Sequence, residues 1–212
     1  MRLKRTTVKI AGVVVLAPLS VIMQTLPPLF LTPWFMRIDL VAVPWVLCWA
    51  LFGFKAALLC LLVSVPLVGV LGPFAGGWVG AIMKSVASVW MFAIPAVFTW
   101  KRKALNPPFR DWKLYTLVSV LAVAVRAMVT VVFNIYFAIP FFFGINPVEF
   151  FSNPTFLSFV GRSLGLIGLG AAVAEIAFWN AIQGTIDLYV SFMIVLIILR
   201  RVPGLAETGK AP

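Results

Sequence analysis

The chain has no histidine, two cysteines and six acidic residues among 212. Without histidine, Ser-His hydrolysis and the usual His/Cys metal sites are excluded. The scattered acidic residues supply no clustered carboxylates for a metal-dependent lipid enzyme. No catalytic residue, metal or resident cofactor is therefore expected, and the chain does not read as an enzyme. Cys48 and Cys60 lie inside apolar blocks, where a free thiol fills core space as a small hydrophobe. A G-x-x-x-x-G-K-[ST] loop is also missing, so the chain is not expected to hydrolyse ATP itself. Charge is scarce, at 11% of residues against roughly 25% in soluble domains.

Apolar side chains fill that gap. They make up 63% of the sequence, with a mean hydropathy of +1.10, and they come in long blocks rather than scattered core positions. A bilayer core of about 30 Å needs about 20 apolar residues at 1.5 Å each. Six segments meet or approach that length: 8–25, 39–54, 56–71, 78–100, 114–143 and 171–199. The sequence thus predicts an all-α membrane protein, a single six-helix transmembrane bundle over residues 1–212. Spans two and three are short and separated only by Gly53-Phe54-Lys55, which predicts a tight helical hairpin. The basic start, Met1 to Arg5, followed by apolar Ala11 to Met23, resembles a signal peptide. No small-x-small cleavage site follows, so it reads as a retained first span.

The net charge of +11 is placed asymmetrically. One set of ends and connections carries Arg2, Lys4, Arg5, Lys9, Lys55, Lys101 to Lys103, Arg110, Lys113, Arg200, Arg201 and Lys210. The other carries only Arg37 and Arg162. This pattern orients a membrane protein rather than binding nucleic acid, and it predicts two cytoplasmic termini in a multi-pass plasma-membrane protein. An even number of spans requires the same. The outward loops are unusually apolar. Residues 26–38 hold Pro27, Pro28 and Pro33, and residues 144–160 hold Pro147 and Pro154 among several Phe. They read as irregular loops packed over a cavity, or as interfacial segments resting on lipid headgroups.

Polar groups inside spans are expensive and mark functional candidates. Lys84, Arg126, Glu175 and Asp187 are the ionisable ones. Counting helix rise from the cytoplasmic ends puts Arg126 about 18 Å and Asp187 about 20 Å up, the depth of an intramembrane ion pair. Asn134 and Asn180 come out about 30 Å up, with Lys84 about 25 Å and Glu175 about 37 Å. Arg126, Thr130 and Asn134 recur every four residues, as do Glu175, Trp179, Gln183 and Asp187, so each set forms one stripe. Two levels are expected: a structural salt bridge in the middle and, above it, a ligand cavity or a set of helix-joining amides.

The segments FLTPWFMRIDLVAVPWVL (30–47, with Asp39), FGFKAALL (52–59), GPFAGGWVGA (72–81), FNIYFAIPFFFG (133–144) and FWNAIQG (178–184) run in a telling order. Together they resemble the substrate-binding S components of the energy-coupling factor vitamin transporters, nearest the riboflavin type. That resemblance implies a six-helix bundle binding one vitamin from outside, docked on a transmembrane coupling subunit with two ATPase subunits. It implies riboflavin or a related flavin as the transported ligand, with thiamine, folate, biotin or a precursor as alternatives. By the same resemblance Asn134 and Asn180 match ligand-binding amides, with Gln183 in the place of a lysine; Lys84 and Glu175, at nearby heights, and Trp179 and Asp39 complete the candidate ligand-binding set. The first helix, with the small residues Ala11, Gly12, Ala17 and Ser20, would dock on the partner. The chain departs from the family at Gln183, in place of a lysine, at Gly76, in place of an asparagine, and at Ser64-Val65, in place of Lys-Asn. A self-sufficient secondary transporter coupled to protons or sodium, with Arg126, Glu175 and Asp187 as a relay, is the alternative class.

Overall fold

A computed structural model describes residues 5–71, 77–99, 111–165 and 168–202. The chain is helical, with one two-residue hairpin, β1 (Phe30–Leu31) against β2 (Arg37–Ile38). Among the described residues, five helical stretches are long and apolar enough to cross a membrane. These are α1 (Arg5–Thr25), α3 (Phe54–Leu71), α4 (Gly77–Ser88) continued by α5 (Trp90–Thr99), α6 (Trp112–Phe133) with its extension to Phe143, and α10 (Leu169–Arg201).

The second expected span has a different form. Only Val43–Phe52 is helical (α2), and ten residues reach about 15 Å, half a bilayer core. Pro44 opens the helix at a position where its missing N–H costs nothing. All ten residues are buried, as expected of a helix apolar on every side. Residues 39–42 above it are not helical. The hairpin into α3 is tighter than anticipated: Gly53 alone, at φ 97°, turns the chain, and its N–H closes α2 on the Trp49 carbonyl at 2.8 Å.

The small residues of α1 face inward. Ala17 is 1% exposed and Ser20 fully buried, and a Cβ on Gly12 would meet the Phe52 ring at 2.1 Å. Three of the four expected docking residues therefore seat α1 on its own neighbours. Ala11 is exposed, and the outward face around it carries Ile10, Val14, Val15 and Ile22.

Asp111 caps α6 by accepting from the N–H groups of Lys113 and Leu114, so this span begins at Trp112 rather than 114. Beyond Phe133 the helix widens into a π-turn, Asn134–Ala138, before α7 (Ile139–Phe143). Pro140 explains the widening, since its ring displaces the carbonyl four residues back. Gly144, in the left-handed conformation, stops α7.

Residues 144–160, expected as an irregular loop, are mostly helical. Asn146 with Glu149 forms a capping box for α8 (Pro147–Ser152), and Asn153 caps α9 (Pro154–Val160). Pro147 and Pro154 occupy the first helical positions, where proline is favoured. These helices bury Phe150, Leu157 and Val160 against Trp34, Ile135, Ile139 and Ile176, an apolar cluster separate from the main core.

Candidate functional site

A cavity of about 470 Å³ opens within this half of the bundle. Its wall is built from the end of α1 (Gln24), the hairpin (Trp34 to Arg37), Asp39, α4 (Lys84, Ser88), α6 and its π-turn (Arg126, Thr130, Asn134) and α10 (Asn180, Gln183). Phe35, Phe142 and Phe143 add an aromatic rim, with Phe35 and Phe143 stacked at 6.1 Å.

The two asparagines lie on different helices and face the same space. Asn134 Nδ2 donates to the Thr130 carbonyl at 2.7 Å, and Asn180 Nδ2 donates to the Ile176 carbonyl at 2.9 Å. Reversing either amide would set its oxygen against a carbonyl oxygen, so the orientation is fixed by the helix itself. Neither Oδ1 accepts a bond from a described residue.

Other polar groups of the wall are engaged. Gln183 Oε1 accepts the Asp39 N–H at 2.8 Å, while its Nε2 donates to the Asp39 carbonyl at 2.7 Å and to Asp187 Oδ1 at 2.8 Å. Both N–H groups of that amide are in use, while its oxygen, with two lone pairs, accepts one bond, and Gln183 lines the cavity. Lys84 donates to Gln24 Oε1 at 2.7 Å and contacts Asp39 Oδ2. Asp39 Oδ1 accepts the Val41 N–H at 3.2 Å, turning the chain into α2. Arg37 lies 3.9 Å from Asp39 Oδ2 and donates to the Leu26 carbonyl at 2.9 Å, fastening the hairpin to the end of α1.

Arg126 and Asp187 pair at 2.9 Å. The anticipated separation into two levels is absent, because Arg126 is itself part of the cavity wall and Gln183 joins Asp187 to Asp39. Helix rise alone gave the heights of backbone atoms; long side chains close the gap. Gly184 makes room here, since a Cβ would lie 3.0 Å from Arg126 Cδ and 3.1 Å from Met91 Sδ.

Glu175 and Trp179 stand behind the wall rather than in it. Glu175, fully buried, accepts from Trp34 Nε1 at 3.2 Å and from the Leu164 N–H at 3.3 Å. Trp179 stacks on Phe30 at 4.6 Å. Glu175 thus holds Trp34, and Trp179 packs on the first strand of the hairpin. Ser64 is engaged elsewhere, accepting from Trp45 Nε1 at 2.7 Å between α2 and α3. Gly76, Arg2, Lys4, residues 101–110 and Lys210 lie outside the described residues.

Trp34, Met36 and Ser88 join the wall without having been expected there, and Arg37, expected only as a loop charge, lines it too. Ser88 had a signal, standing four residues after Lys84 and thus on the same helix face. Trp34 and Met36 had none, lying in a proline-rich loop without periodicity. No family model, curated protein or solved structure matches the chain.

Proposed function

We propose that this chain is a solute-binding membrane subunit of a vitamin importer of the energy-coupling factor type. Riboflavin or a related flavin is the first solute to test, and thiamine, folate and biotin follow. The observation that carries the reading is the meeting of Asn134 and Asn180 in one cavity, each with an unengaged carbonyl oxygen. Two fixed acceptors from separate helices, an aromatic rim and about 470 Å³ of space suit a flat heterocycle with N–H or O–H groups.

The proposed arrangement has six crossings, the second formed by residues 39–42 and the buried half-helix α2. Irregular backbone is tolerated at membrane depth where protein encloses it, and the Gln183 amide supports that here. Lys9, Lys55, Lys113, Arg200 and Arg201 sit at helix ends remote from the cavity. By the positive-inside rule both termini are then cytoplasmic and the cavity faces outward. A coupling subunit with two ATPases would supply the energy.

Titration of the purified chain with riboflavin, followed by quenching of flavin fluorescence, tests the reading. Asn134→Ala and Asn180→Ala should each weaken binding about tenfold, the worth of one hydrogen bond. The buried Arg126–Asp187 pair favours one second reading, an ion-coupled carrier. Gradient-driven uptake by this chain alone in liposomes would establish it in place of the first.

A further inference from the structure

Among the described residues, four side-chain amides line the cavity: Gln24, Asn134, Asn180 and Gln183. Gln24, near the end of α1, is turned the opposite way from the two asparagines. Asn134 and Asn180 each give an N–H to their own helix and leave the oxygen open. Gln24 gives up its oxygen instead. Lys84 Nζ donates to Gln24 Oε1 at 2.7 Å, and an ammonium group has donors only. Reversing the amide would set its N–H groups against that cation, so Lys84 fixes which end of Gln24 faces it. Asp39 holds the ammonium in turn.

The amide nitrogen is left over. Gln24 is 8% exposed, and its Nε2 donates to no described residue. Unlike Arg126 Nε, it is not sealed away from contact, so it stays open on the cavity wall. The main chain beneath it is tied down as well. Arg37 Nη2 donates to the Gln24 carbonyl at 3.4 Å and to the Leu26 carbonyl at 2.9 Å. A side chain held at its tip by one cation and at its backbone by another presents its N–H groups in one direction. A nearly buried amide nitrogen without an acceptor is costly, and an acceptor atom in the cavity relieves that cost.

We propose that Gln24 is a solute-binding residue, its Nε2 donating to a carbonyl oxygen or ring nitrogen of the solute. Asn134 and Asn180 accept from N–H or O–H groups on the same molecule. The inference rests on the cavity being a solute site and narrows that reading to heterocycles that carry an acceptor as well as donors. A solute with donors alone would leave Gln24 unpaired, and one with acceptors alone would face two amide oxygens.

The test is isothermal titration calorimetry on the full chain in mild nonionic detergent, with riboflavin, thiamine, folate and biotin each added alone. Whichever binds wild type most tightly is then titrated into two variants. Gln24→Met keeps the length and removes the donor, and affinity should fall about tenfold. Gln24→Glu keeps an oxygen for Lys84, and with it the fold, but puts a second oxygen where the donor was. Affinity should fall by about a further tenfold, because two acceptors then face each other. Either variant alone decides the point if the other does not fold. Wild-type affinity in the variants would overturn the role of Gln24 and leave the cavity reading standing. So would a Gln24→Glu protein that binds at least as tightly as Gln24→Met. Failure of wild type to bind any of the four would overturn both.

Discussion

Gln183 and Asp39, 144 residues apart, exchange two hydrogen bonds in which a side-chain amide pairs with a main chain at 2.8 and 2.7 Å. The amide does what a neighbouring strand would do, satisfying both backbone groups of a residue outside any helix. Without it the non-helical residues above α2 would hold bare peptide groups inside a membrane bundle, at several kcal/mol each. The same amide binds Asp187, so the hairpin, α10 and the Arg126 pair form one connected unit.

Gln183→Met keeps the volume and removes all three bonds. It should destabilise the chain by about 2–4 kcal/mol, from orphaned buried groups costing about 1–3 kcal/mol each. Thermal unfolding in detergent measures this, and limited proteolysis should show faster cleavage within residues 26–42. Unchanged stability would mean that water satisfies Asp39.

Asp187→Asn alone leaves the Arg126 charge buried, and it should cost about 3–5 kcal/mol. Neutralising both partners, as in Arg126→Gln/Asp187→Asn, should restore most of that loss. Denaturant unfolding of the two variants checks the order. Equal losses would show that geometry, rather than charge balance, sets the worth of the pair.

Gly12→Ala places a methyl group on the Phe52 ring and forces α1 away from α2. Overpacking of this kind costs about 1–3 kcal/mol. The loss should be measurable in the isolated chain, because the contact is internal. A variant of normal stability that fails only in assembly with a partner would return Gly12 to a docking role.

Phe35 has φ 68° at the hairpin tip, a conformation that disfavours an aromatic side chain, and it is 63% exposed. Phe35→Gly should raise stability by about 1 kcal/mol through relief of that strain. It should weaken solute binding, since the rim loses the ring stacked on Phe143. Unfolding midpoint and affinity moving in opposite directions is the expected signature.

The long helices were legible because apolar runs of bilayer length have few other uses. The stripe Arg126, Thr130, Asn134 was legible because helical period puts it on one face, and all three residues line the cavity. The halving of the second span was not, because the bond that stabilises residues above α2 comes from a side chain 144 positions away and leaves no local pattern. The short helices within 144–160 left no helical period to read, and the prolines at 147 and 154 start them. Glu175 and Trp179 share a stripe with Gln183, but the hairpin covers them, and a helix face alone does not reveal what lies against it.

Mass spectrometry of small molecules released from the purified, denatured chain addresses the cavity most directly. Wild type should yield one amphipathic solute near one-to-one stoichiometry, and the Asn134→Ala/Asn180→Ala variant, equally well folded, should yield none. The same solute content in both proteins, or none in either, would contradict a binding site built on those two amides.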